Sequence, residues 1–300
     1  MQLAYTLLDV FTGKPLTGNQ LAIVSKADGL SDARMQAIAR EFNLSETVFV
    51  RQPLIERHTA SLRIFTPTTE LPFAGHPTIG AAVLLGLQQR AIAVRLEEKI
   101  GLVTCVMERV TRSSGVARFK LPQLPQEMGP GPDIADVATT LGIAPEDIGC
   151  GLFTRPAHFS AGVEFYLVPV KNAEVLARLK LERRGWTDIY PAGQNSVYVF
   201  TQTPNEQGND LAARMFAPGM GIGEDAATGA AAAALIGLLA LDPEHQNGQK
   251  NYRLRQGHEM GRPSLIELQV GMEEGQLVHG GIGGAAVIIA EGTLDLPSAS

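Results

Sequence analysis

The sequence predicts an α/β (α+β) fold made of two similar halves, each with one fully buried helix. Two stretches indicate this, FAGHPTIGAAVLLGL from Phe73 to Leu87 and GIGEDAATGAAAAALIGLLA from Gly221 to Ala240. In each, a turn that carries ionisable side chains leads into an almost wholly apolar helix, and a helix that is apolar on all sides must be buried. Aligned on Thr78 and Thr228, the stretches lie 150 residues apart, half of the 300-residue chain. We therefore expect one half-domain to occur twice.

The first half begins with strands and one surface helix. Ser31 is placed to cap an amphipathic helix in which Met35, Ile38, Ala39 and Phe42 recur on one face. Apolar runs bounded by turn signals predict strands before and after this helix. These strands cover residues 3–10, 20–24, 47–51, 61–65, 94–98, 102–107 and 116–120.

A segment rich in proline and glycine follows, and it separates the two halves. Six of these residues fall between positions 122 and 132, a composition that disfavours a helix or a central strand. We therefore expect a first half over residues 1–121, a linker over 122–132 and a second half over 133–300. The last strand of the second half is a candidate to return to the first.

The second half repeats the plan of the first. An amphipathic helix is predicted from about Asp133 to Leu141, closed by Gly142, where a residue without a β-carbon favours a helix end. A further helix is expected near residues 173–181. Strands are expected over residues 163–170, 196–201, 264–270 and 285–290.

Composition excludes several classes of function. The net charge is −6, from 25 basic and 31 acidic residues without a Lys/Arg run, so nucleic acid is not expected as a partner. The longest apolar run, Ala226 to Ala240, is too short to span a membrane, and the N-terminus carries no basic leader of a signal peptide. With two cysteines only, Cys105 and Cys150, a disulfide-free cytoplasmic protein is the simplest account.

The turns before the two apolar helices are where chemistry is expected. The first turn of a helix leaves backbone N–H groups without intrahelical partners, and the helix dipole adds positive charge there. Pro77 suits the first helical position, where its missing N–H costs nothing, and Gly75 permits close approach of a ligand to the backbone. Such ends would hold a small molecule that carries a carboxylate. The alternative, equally open at this point, is two core helices with glycine-tolerant entry turns.

Three ionisable residues are candidates for the chemistry itself. Glu46 lies at the mouth of an apolar strand, where partial burial would raise its pKa and suit it to proton transfer. His76 lies at a helix N-terminus, where the dipole disfavours its cationic form. Asp225 lies on the matching turn of the second helix. The structural alternatives are a solvated strand-end glutamate, a turn histidine and a helix cap.

Sequence motifs for other chemistries are weak or missing. The glycine spacing over residues 219–225 lacks the strand–helix–strand context of a dinucleotide site, and no GxxxxGK[ST] occurs. There is no HExxH and no GxSxG, and the six histidines are scattered. The sequence therefore gives no support for a metal site or a serine triad and only weak support for nucleotide binding.

Five blocks of the sequence run in order from Asp9 to Leu268 and read DVFTGKPLTGNQLAIV, NLSETVFV, RIFTPTTELPFAGHPTIGAA, GIGEDAATGAAAAAL and RQGHEMGRPSLIEL. Together these blocks resemble the PhzF family of phenazine-biosynthesis-like isomerases. The resemblance implies the diaminopimelate-epimerase-like fold, in which two pseudo-symmetric halves each wrap a curled mixed sheet around a central helix and the active site lies in the cleft between them. It also implies a homodimer.

The same resemblance implies roles for particular residues. In diaminopimelate epimerases and proline racemases, two cysteines at the helix turns exchange a proton across the substrate, and here Ala74 and Ala226 stand in those places. The PhzF branch instead uses one glutamate, which Glu46 matches, with no cofactor. His76 and Asp225 match the residues that help to hold the substrate and move protons. The implied contacts to a small carboxylate substrate come from Asn19, Ser45, Gly75, Thr228 and Gly229.

The chain departs from the usual EDPATGS pattern of the family at two positions. Ala226 replaces the proline and Ala230 replaces a serine that contacts substrate. Losing one hydrogen bond to a substrate can change discrimination strongly, so the sequence predicts the isomerase class and leaves the substrate open. A non-catalytic binding protein on the same fold is the alternative, and a nucleotide-dependent enzyme is a third.

Overall fold

The computed structural model describes residues 2–191, 196–203, 210–220 and 222–296. The chain forms two compact units, one of Met1–Pro122 with Gly283–Ser300 and one of Gln123–Ile282. Gly221, which opens the second apolar stretch of the sequence, lies outside the described residues. The part of the chain that is described contains no helix long and apolar enough to cross a membrane.

Among its described residues, the first unit consists mainly of strands, with two α-helices and one turn of 3-10 helix. Its helices are α1 (Asp32–Phe42) and α2 (Gly75–Gln89). Its strands are β1 (Gln2–Val10), β2 (Asn19–Val24), β3 (Glu46–Arg51), β4 (Ala60–Phe65), β5 (Glu70–Leu71), β6 (Ala93–Glu98), β7 (Gly101–Arg109) and β8 (Ser114–Lys120).

The pairing of these strands alternates between antiparallel and parallel. β1 pairs antiparallel with β2, β2 parallel with β3, β3 antiparallel with β4, β4 parallel with β6, and β6 antiparallel with β7. Each parallel pair needs a crossover connection, which α1 supplies for β2 and β3 and α2 supplies for β4 and β6. The predicted cap of α1 is confirmed, because the Ser31 hydroxyl accepts from the N–H of Arg34 at 3.3 Å.

Helix α2 is buried on all sides, as predicted, from Gly75 to Leu87. The strands approach it closely at one glycine. A β-carbon on Gly80 would lie 2.5 Å from Cδ2 of Leu21 and 3.0 Å from Cγ2 of Val10. Glycine at this position therefore lets α2 pack directly on β1 and β2.

The second unit has the same kinds of element in a matching order. Its helices are α3 (Ile134–Leu141), α4 (Ala173–Ala177), α5 (Trp186–Ile189) and α6 (Gly229–Leu239). Its strands are β9 (Gln126–Pro130), β10 (Ala157–Ser160), β11 (Glu164–Pro169), β12 (Val197–Gln202), β13 (Asp210–Ala217), β14 (Ile222–Asp225), β15 (Gly248–Gln256) and β16 (Ser264–Glu273).

The strand pairing of the second unit repeats that of the first. β10 pairs antiparallel with β11, β11 parallel with β12, β12 antiparallel with β13, β13 parallel with β15, and β15 antiparallel with β16. Helix α6 connects β14 to β15, as α2 connects β5 to β6. The two units therefore share one internal plan, in which β6 corresponds to β15.

The last strand, β17 (Gln276–Asp295), contributes its residues from Gly283 onward to the first unit. There it pairs antiparallel with the whole of β1, from Gln2 opposite Asp295 to Val10 opposite Ala286. The N-terminal strand of the chain thus pairs with β2 on one side and with the C-terminal strand on the other.

Several local predictions differ from the structure. Part of the expected linker is a strand, β9, which pairs with β10, because its proline lies at the strand end and its other residues keep their N–H groups. Helix α4 ends at Ala177, well before the predicted 181. Strand β15 was not predicted, because its exposed positions carry glutamine, asparagine and arginine that mask the alternation of its buried side chains.

Candidate active site

The N-terminal edge of the parallel pair β2 and β3 carries three of the predicted site residues. Leu21 lies opposite Glu46 in the ladder, so the first residues of both strands lie at one edge of the sheet. Buried Asn19 begins β2, and Glu46 begins β3 directly after half-buried Ser45. The register of one parallel pair therefore gathers residues that are distant in sequence.

Helix α2 brings His76 to this edge. Nδ1 of His76 lies 3.3 Å from Oε2 of Glu46, and the exposed fractions of the two side chains are 3% and 14%. The imidazole also makes a hydrogen bond with the backbone of Gln20 on β2. Strand pairing and helix packing thus place a carboxylate and an imidazole in contact, with little exposure of either to solvent.

The imidazole of His76 is neutral. Burial lowers its pKa to about 3, and the hydrogen bond with Gln20 opposes this shift only in part. Its contact with Glu46 is therefore that of a carboxylate with a neutral ring, although the 3.3 Å separation would also suit an ion pair. The sequence argument expected a neutral ring from the helix dipole, and in the structure burial is the cause that lowers its pKa. Among the described residues, the buried Nε2 atom has no hydrogen-bond partner.

The first turn of α2 presents backbone donors beside this pair. The N–H of Thr78 donates to the carbonyl of Ala74 at 3.2 Å, and Pro77 has no N–H. The helical geometry leaves the N–H groups of Gly75 and His76 without partners inside the helix. These two donors, with the positive end of the helix dipole, suit a carboxylate ligand.

In the second unit, strand alternation separates two neighbouring acids. Glu224 and Asp225 end β14, so their side chains point to opposite faces of the strand. Glu224 forms a bidentate pair with Arg214, with N–O distances of 2.8 and 2.9 Å. Asp225 is buried and accepts from the hydroxyl of Thr228 at 2.6 Å. Only Asp225 therefore faces the turn that leads into α6.

The carboxamide of Gln256, the last residue of β15, holds this turn in place. Its Nε2 donates to the carbonyl of Asp225 at 2.8 Å and to Oγ1 of Thr228 at 3.0 Å. Its Oε1 accepts from the N–H of Thr228 at 3.1 Å and from the hydroxyl of Tyr198 at 2.9 Å. Burial, and then the charge of Asp225, raise the pKa of Tyr198, which keeps it a donor. A directed chain of hydrogen bonds therefore runs from Tyr198 to the Asp225 carboxylate.

Sequence reasoning missed Gln256 and Tyr198 as members of this network. Gln256 stands in the RQGHEM block that carries part of the family resemblance, and no role was assigned to it there. A polar residue at the buried end of a strand is the signal that could have identified it. The partners lie between 28 and 58 residues away along the chain, so local sequence patterns do not reveal them.

The other predicted residues take positions in one of the two units. Thr228 is the N-cap of α6 and half-buried, Gly229 is its first residue, and Ala230 follows. Cys105 lies on β7 and Cys150 in a loop of the second unit, and burial raises the pKa of both thiols. The first unit gathers Asn19, Ser45, Glu46, Gly75 and His76, and the second gathers Asp225, Thr228 and Gly229.

Comparison with known proteins identifies the family. The family model described as phenazine biosynthesis-like protein, PhzC-PhzF, matches residues 8–292. An uncharacterized isomerase of Mesorhizobium japonicum is 41% identical over 97% of this chain and 98% of its own. A trans-2,3-dihydro-3-hydroxyanthranilate isomerase of Pseudomonas fluorescens is 34% identical over 97% of this chain and 99% of its own.

A solved structure agrees with these relatives. The structure of a predicted epimerase from Pseudomonas aeruginosa superposes with a TM-score of 0.81 at 29% identity, over 98% of this chain and all of that one. The predicted diaminopimelate-epimerase-like fold is thereby confirmed, as is the prediction of an isomerase. The chain belongs to the PhzC-PhzF family of phenazine biosynthesis-like proteins.

Proposed function

We propose that this isomerase works without a cofactor, and that Glu46 removes a proton from a small carboxylated substrate and returns it at another carbon. The observation that carries the proposal is the contact between Glu46 and a neutral, buried His76 at the N-terminus of α2. A single carboxylate with little solvent around it can act first as base and then as acid, as an isomerisation by proton shift requires.

The neutral state of His76 supports a role beside Glu46. A neutral ring that donates its Nδ1 proton to the backbone of Gln20 has Nε2 as an acceptor for a substrate hydroxyl or amine. Because a neutral imidazole adds no positive charge, it does not hold Glu46 permanently ionised as a cation would. Glu46 can therefore bind the proton that it takes from the substrate.

The N–H groups of Gly75 and His76 support a substrate that carries a carboxylate. The curated relative from Pseudomonas fluorescens is named for such an acid, trans-2,3-dihydro-3-hydroxyanthranilate, and we propose substrates of that class for this chain. Ala230 stands at the position of the usual family serine, so a hydroxyl contact is missing. We therefore propose a related acid that does not need this hydrogen bond.

We assign supporting roles to the other predicted residues through the family resemblance. Asp225 is held by Thr228 and, through it, by Gln256, which gives its carboxylate one orientation for proton transfer. Asn19 and Ser45 are proposed to bind substrate, with the N–H of Gly229 as a further donor. Truncating Asn19 or Ser45 should then raise KM more than it lowers kcat.

Deuterium uptake tests the proposal directly. Small carboxylic acids, including trans-2,3-dihydro-3-hydroxyanthranilate, are incubated with the protein in D₂O and analysed by mass spectrometry. We expect uptake and isomerisation with the wild type, a loss of at least 100-fold with Glu46→Gln, and a smaller loss with Asp225→Asn. Glu41→Gln is the matched control, because Glu41 is an exposed glutamate at the end of α1 in the same unit.

Two results would contradict the assignment of Glu46. Turnover retained by a folded Glu46→Gln variant would show that another group moves the proton. Binding of an acid without any deuterium uptake by the wild type would instead support the alternative of a non-catalytic binding protein. Thermal unfolding of each variant distinguishes lost chemistry from a lost fold.

A further inference from the structure

A buried carboxyl group that the proposed mechanism does not use lies beneath the first turn of α2. Glu98, the last residue of β6, is 8% exposed, and its Oε1 lies 2.7 Å from Oγ1 of Thr78. Oγ1 of Thr78 also lies 2.8 Å from the carbonyl oxygen of Ala74. Among the described residues, Oε2 of Glu98 is buried without a hydrogen-bond partner.

The number of protons available decides how these three groups bond. A threonine hydroxyl donates one proton, and a carbonyl oxygen donates none. If the Thr78 hydroxyl donates to Ala74, the short contact with Glu98 is a hydrogen bond only when Glu98 is protonated and donates to Thr78. An ionised Glu98 would compete with Ala74 for the same proton and would leave a charged oxygen unsatisfied in the interior, which is costly.

The internal repeat supplies an independent comparison. Glu98 ends β6 and contacts Thr78, and in the second unit Gln256 ends the corresponding strand β15 and contacts Thr228. Thr78 and Thr228 are the residues on which the two halves align. Gln256 donates from its neutral amide to Oγ1 of Thr228 at 3.0 Å. A protonated glutamate has the same shape and can make the same donation, whereas an ionised glutamate cannot.

We propose that Glu98 is a neutral carboxylic acid that acts as a positioning residue, donating to Thr78 and thereby fixing the direction of the Gly75 N–H at the active-site turn. Its effect on substrate rests on the proposed function, in which Gly75 binds the substrate carboxylate. The protonation of Glu98 does not rest on the proposed function, and it can be tested without any substrate.

The link from Glu98 to Gly75 follows from peptide geometry. The carbonyl of Ala74 and the N–H of Gly75 belong to one planar trans peptide, so they point in opposite directions. The N–H and hydroxyl of Thr78 both hold this carbonyl, at 3.2 and 2.8 Å. The N–H of Gly75 must then point out of the helix end. Protonated Glu98 leaves the Thr78 hydroxyl available for this bond.

The surroundings of Glu98 agree with a neutral group. Burial raises its pKa to about 8, and a hydrogen bond donated by the Thr78 hydroxyl would oppose this shift only in part. The titratable group coupled to it from β7 is the Cys105 thiol, whose pKa is raised by burial and then by Glu98, so it stays neutral. The two neighbours of Glu98 along the chain have other partners. Glu97 bonds His58, and the Lys99 ammonium bonds Glu70. No cation among these groups is therefore paired with Glu98.

The pH dependence of stability tests the protonation of Glu98. In the folded protein the group keeps its proton up to about pH 8, whereas the unfolded chain releases it near the ordinary value of 4.5. The folded state thus binds the extra proton, and its stability falls as the pH rises between these values. The variant Glu98→Gln lacks this loss. Its Tm should rise relative to wild type between pH 5 and pH 8, and the difference should be constant above pH 9.

An exposed glutamate of the same unit supplies a matched control. Glu41 lies at the end of α1 and is exposed to solvent. Glu41→Gln should therefore differ from wild type in stability by an amount that changes little between pH 5 and pH 8. A Glu98→Gln difference that is equally flat would show that Glu98 is ionised, and would overturn the proposal.

Two further measurements test positioning. In a ¹⁵N NMR titration, the Gly75 amide of wild type should shift near pH 8 and that of Glu98→Gln should not. With trans-2,3-dihydro-3-hydroxyanthranilate as probe, wild-type turnover should decline above about pH 8, Glu98→Gln should keep it, and Glu98→Ala should lower kcat/KM about 10- to 100-fold.

The outcomes separate this proposal from the proposed function. If the probe is not turned over, the stability and NMR measurements still decide the state of Glu98 and its coupling to Gly75. A Gly75 amide that does not respond, with Glu98→Ala as active as wild type, would show a buried acid without a positioning role. An alkaline decline that persists in Glu98→Gln would overturn the link to turnover.

Discussion

The neutral state of His76 illustrates how burial controls chemistry at the scale of one residue. Its side chain is 3% exposed, and the backbone hydrogen bond with Gln20 offsets only part of the cost of removing a charged ring from water. The cost is larger than the benefit, so the ring stays neutral well below physiological pH. A neutral ring beside Glu46 can exchange hydrogen bonds with substrate without trapping the carboxylate as an ion pair.

This state predicts how stability depends on pH. The folded-state pKa of His76 lies at about 3, below its ordinary value of 6.5, so the unfolded chain binds the extra proton. The contribution to stability is therefore present above pH 6.5 and is lost as the pH falls toward 3. Because of His76, the free energy of unfolding should be about 2 kcal/mol lower at pH 5 than at pH 7.5. Urea unfolding of wild type and His76→Gln at both pH values measures it.

Between pH 7.5 and pH 5, the free energy of unfolding of His76→Gln should fall by about 2 kcal/mol less than that of wild type, whatever the absolute stability of the variant. His258→Gln is the control, because it removes a histidine that is exposed to solvent. Equal pH dependence in wild type and His76→Gln would mean that the imidazole accepts a proton in the folded protein, and would remove the argument for a neutral ring beside Glu46.

At the scale of elements, the two central helices share one packing device. Each is apolar on all sides, and each carries a glycine where a neighbouring side chain lies against the helix. A β-carbon on Gly80 of α2 would meet Leu21 at 2.5 Å, and one on Gly237 of α6 would meet Phe159 at 2.7 Å. The strands can therefore pack directly on the helix backbone, which places the first turn of α2 beside β2.

Replacing Gly80 by alanine should destabilise the protein by about 1–3 kcal/mol, because the added methyl group overlaps Leu21 and contacts Val10 inside a packed core. A displaced helix would also move the first turn of α2, so turnover should fall together with stability. Gly13→Ala is the matched control, since a β-carbon there has no heavy atom within 4 Å and should change stability by less than about 0.5 kcal/mol. A Gly80→Ala variant as stable as Gly13→Ala would contradict this packing.

The elements also show what the sequence can predict. Helices α1, α2 and α6 were predictable because cap and apolar pattern are local signals, as the Ser31 cap demonstrates. Strand β15 was not, because its exposed positions are strongly polar. Contacts in the candidate site depend on pairing between distant segments. The approach of His76 to Glu46, and of Gln256 to Thr228, follows from register and packing, which no local pattern encodes.

For the whole molecule, the repeated order of strand pairing shows that the chain uses one supersecondary plan twice. The two copies differ at the residue that contacts the aligned threonine, which is Glu98 in one and Gln256 in the other. In both, the last residue of the strand that follows the central helix returns to the first turn of that helix. This position supports the polar turn in each unit and fits a neutral donor.

The last strand does not follow the repeat, because β17 begins in the second unit and ends in the first. Its residues from Gly283 belong to the first unit, where they pair along all of β1 and donate from Ile288 to the carbonyl of Ser113. Removing residues 283–300 would leave β1 without this partner and would expose its backbone N–H and carbonyl groups, which is costly where the strand is buried.

We therefore expect the chain truncated after Ile282 to lose the cooperative unfolding transition of the first unit and to accumulate in insoluble form. Removal of residues 297–300 alone is the control, since it leaves β17 complete, and it should keep both solubility and Tm. Circular dichroism and calorimetry of the two truncated chains measure the difference. Supplying residues 283–296 as a separate peptide should restore the transition, because pairing with β1 does not require a covalent link. A soluble truncated chain with the wild-type transition would show that β1 is stable without its C-terminal partner.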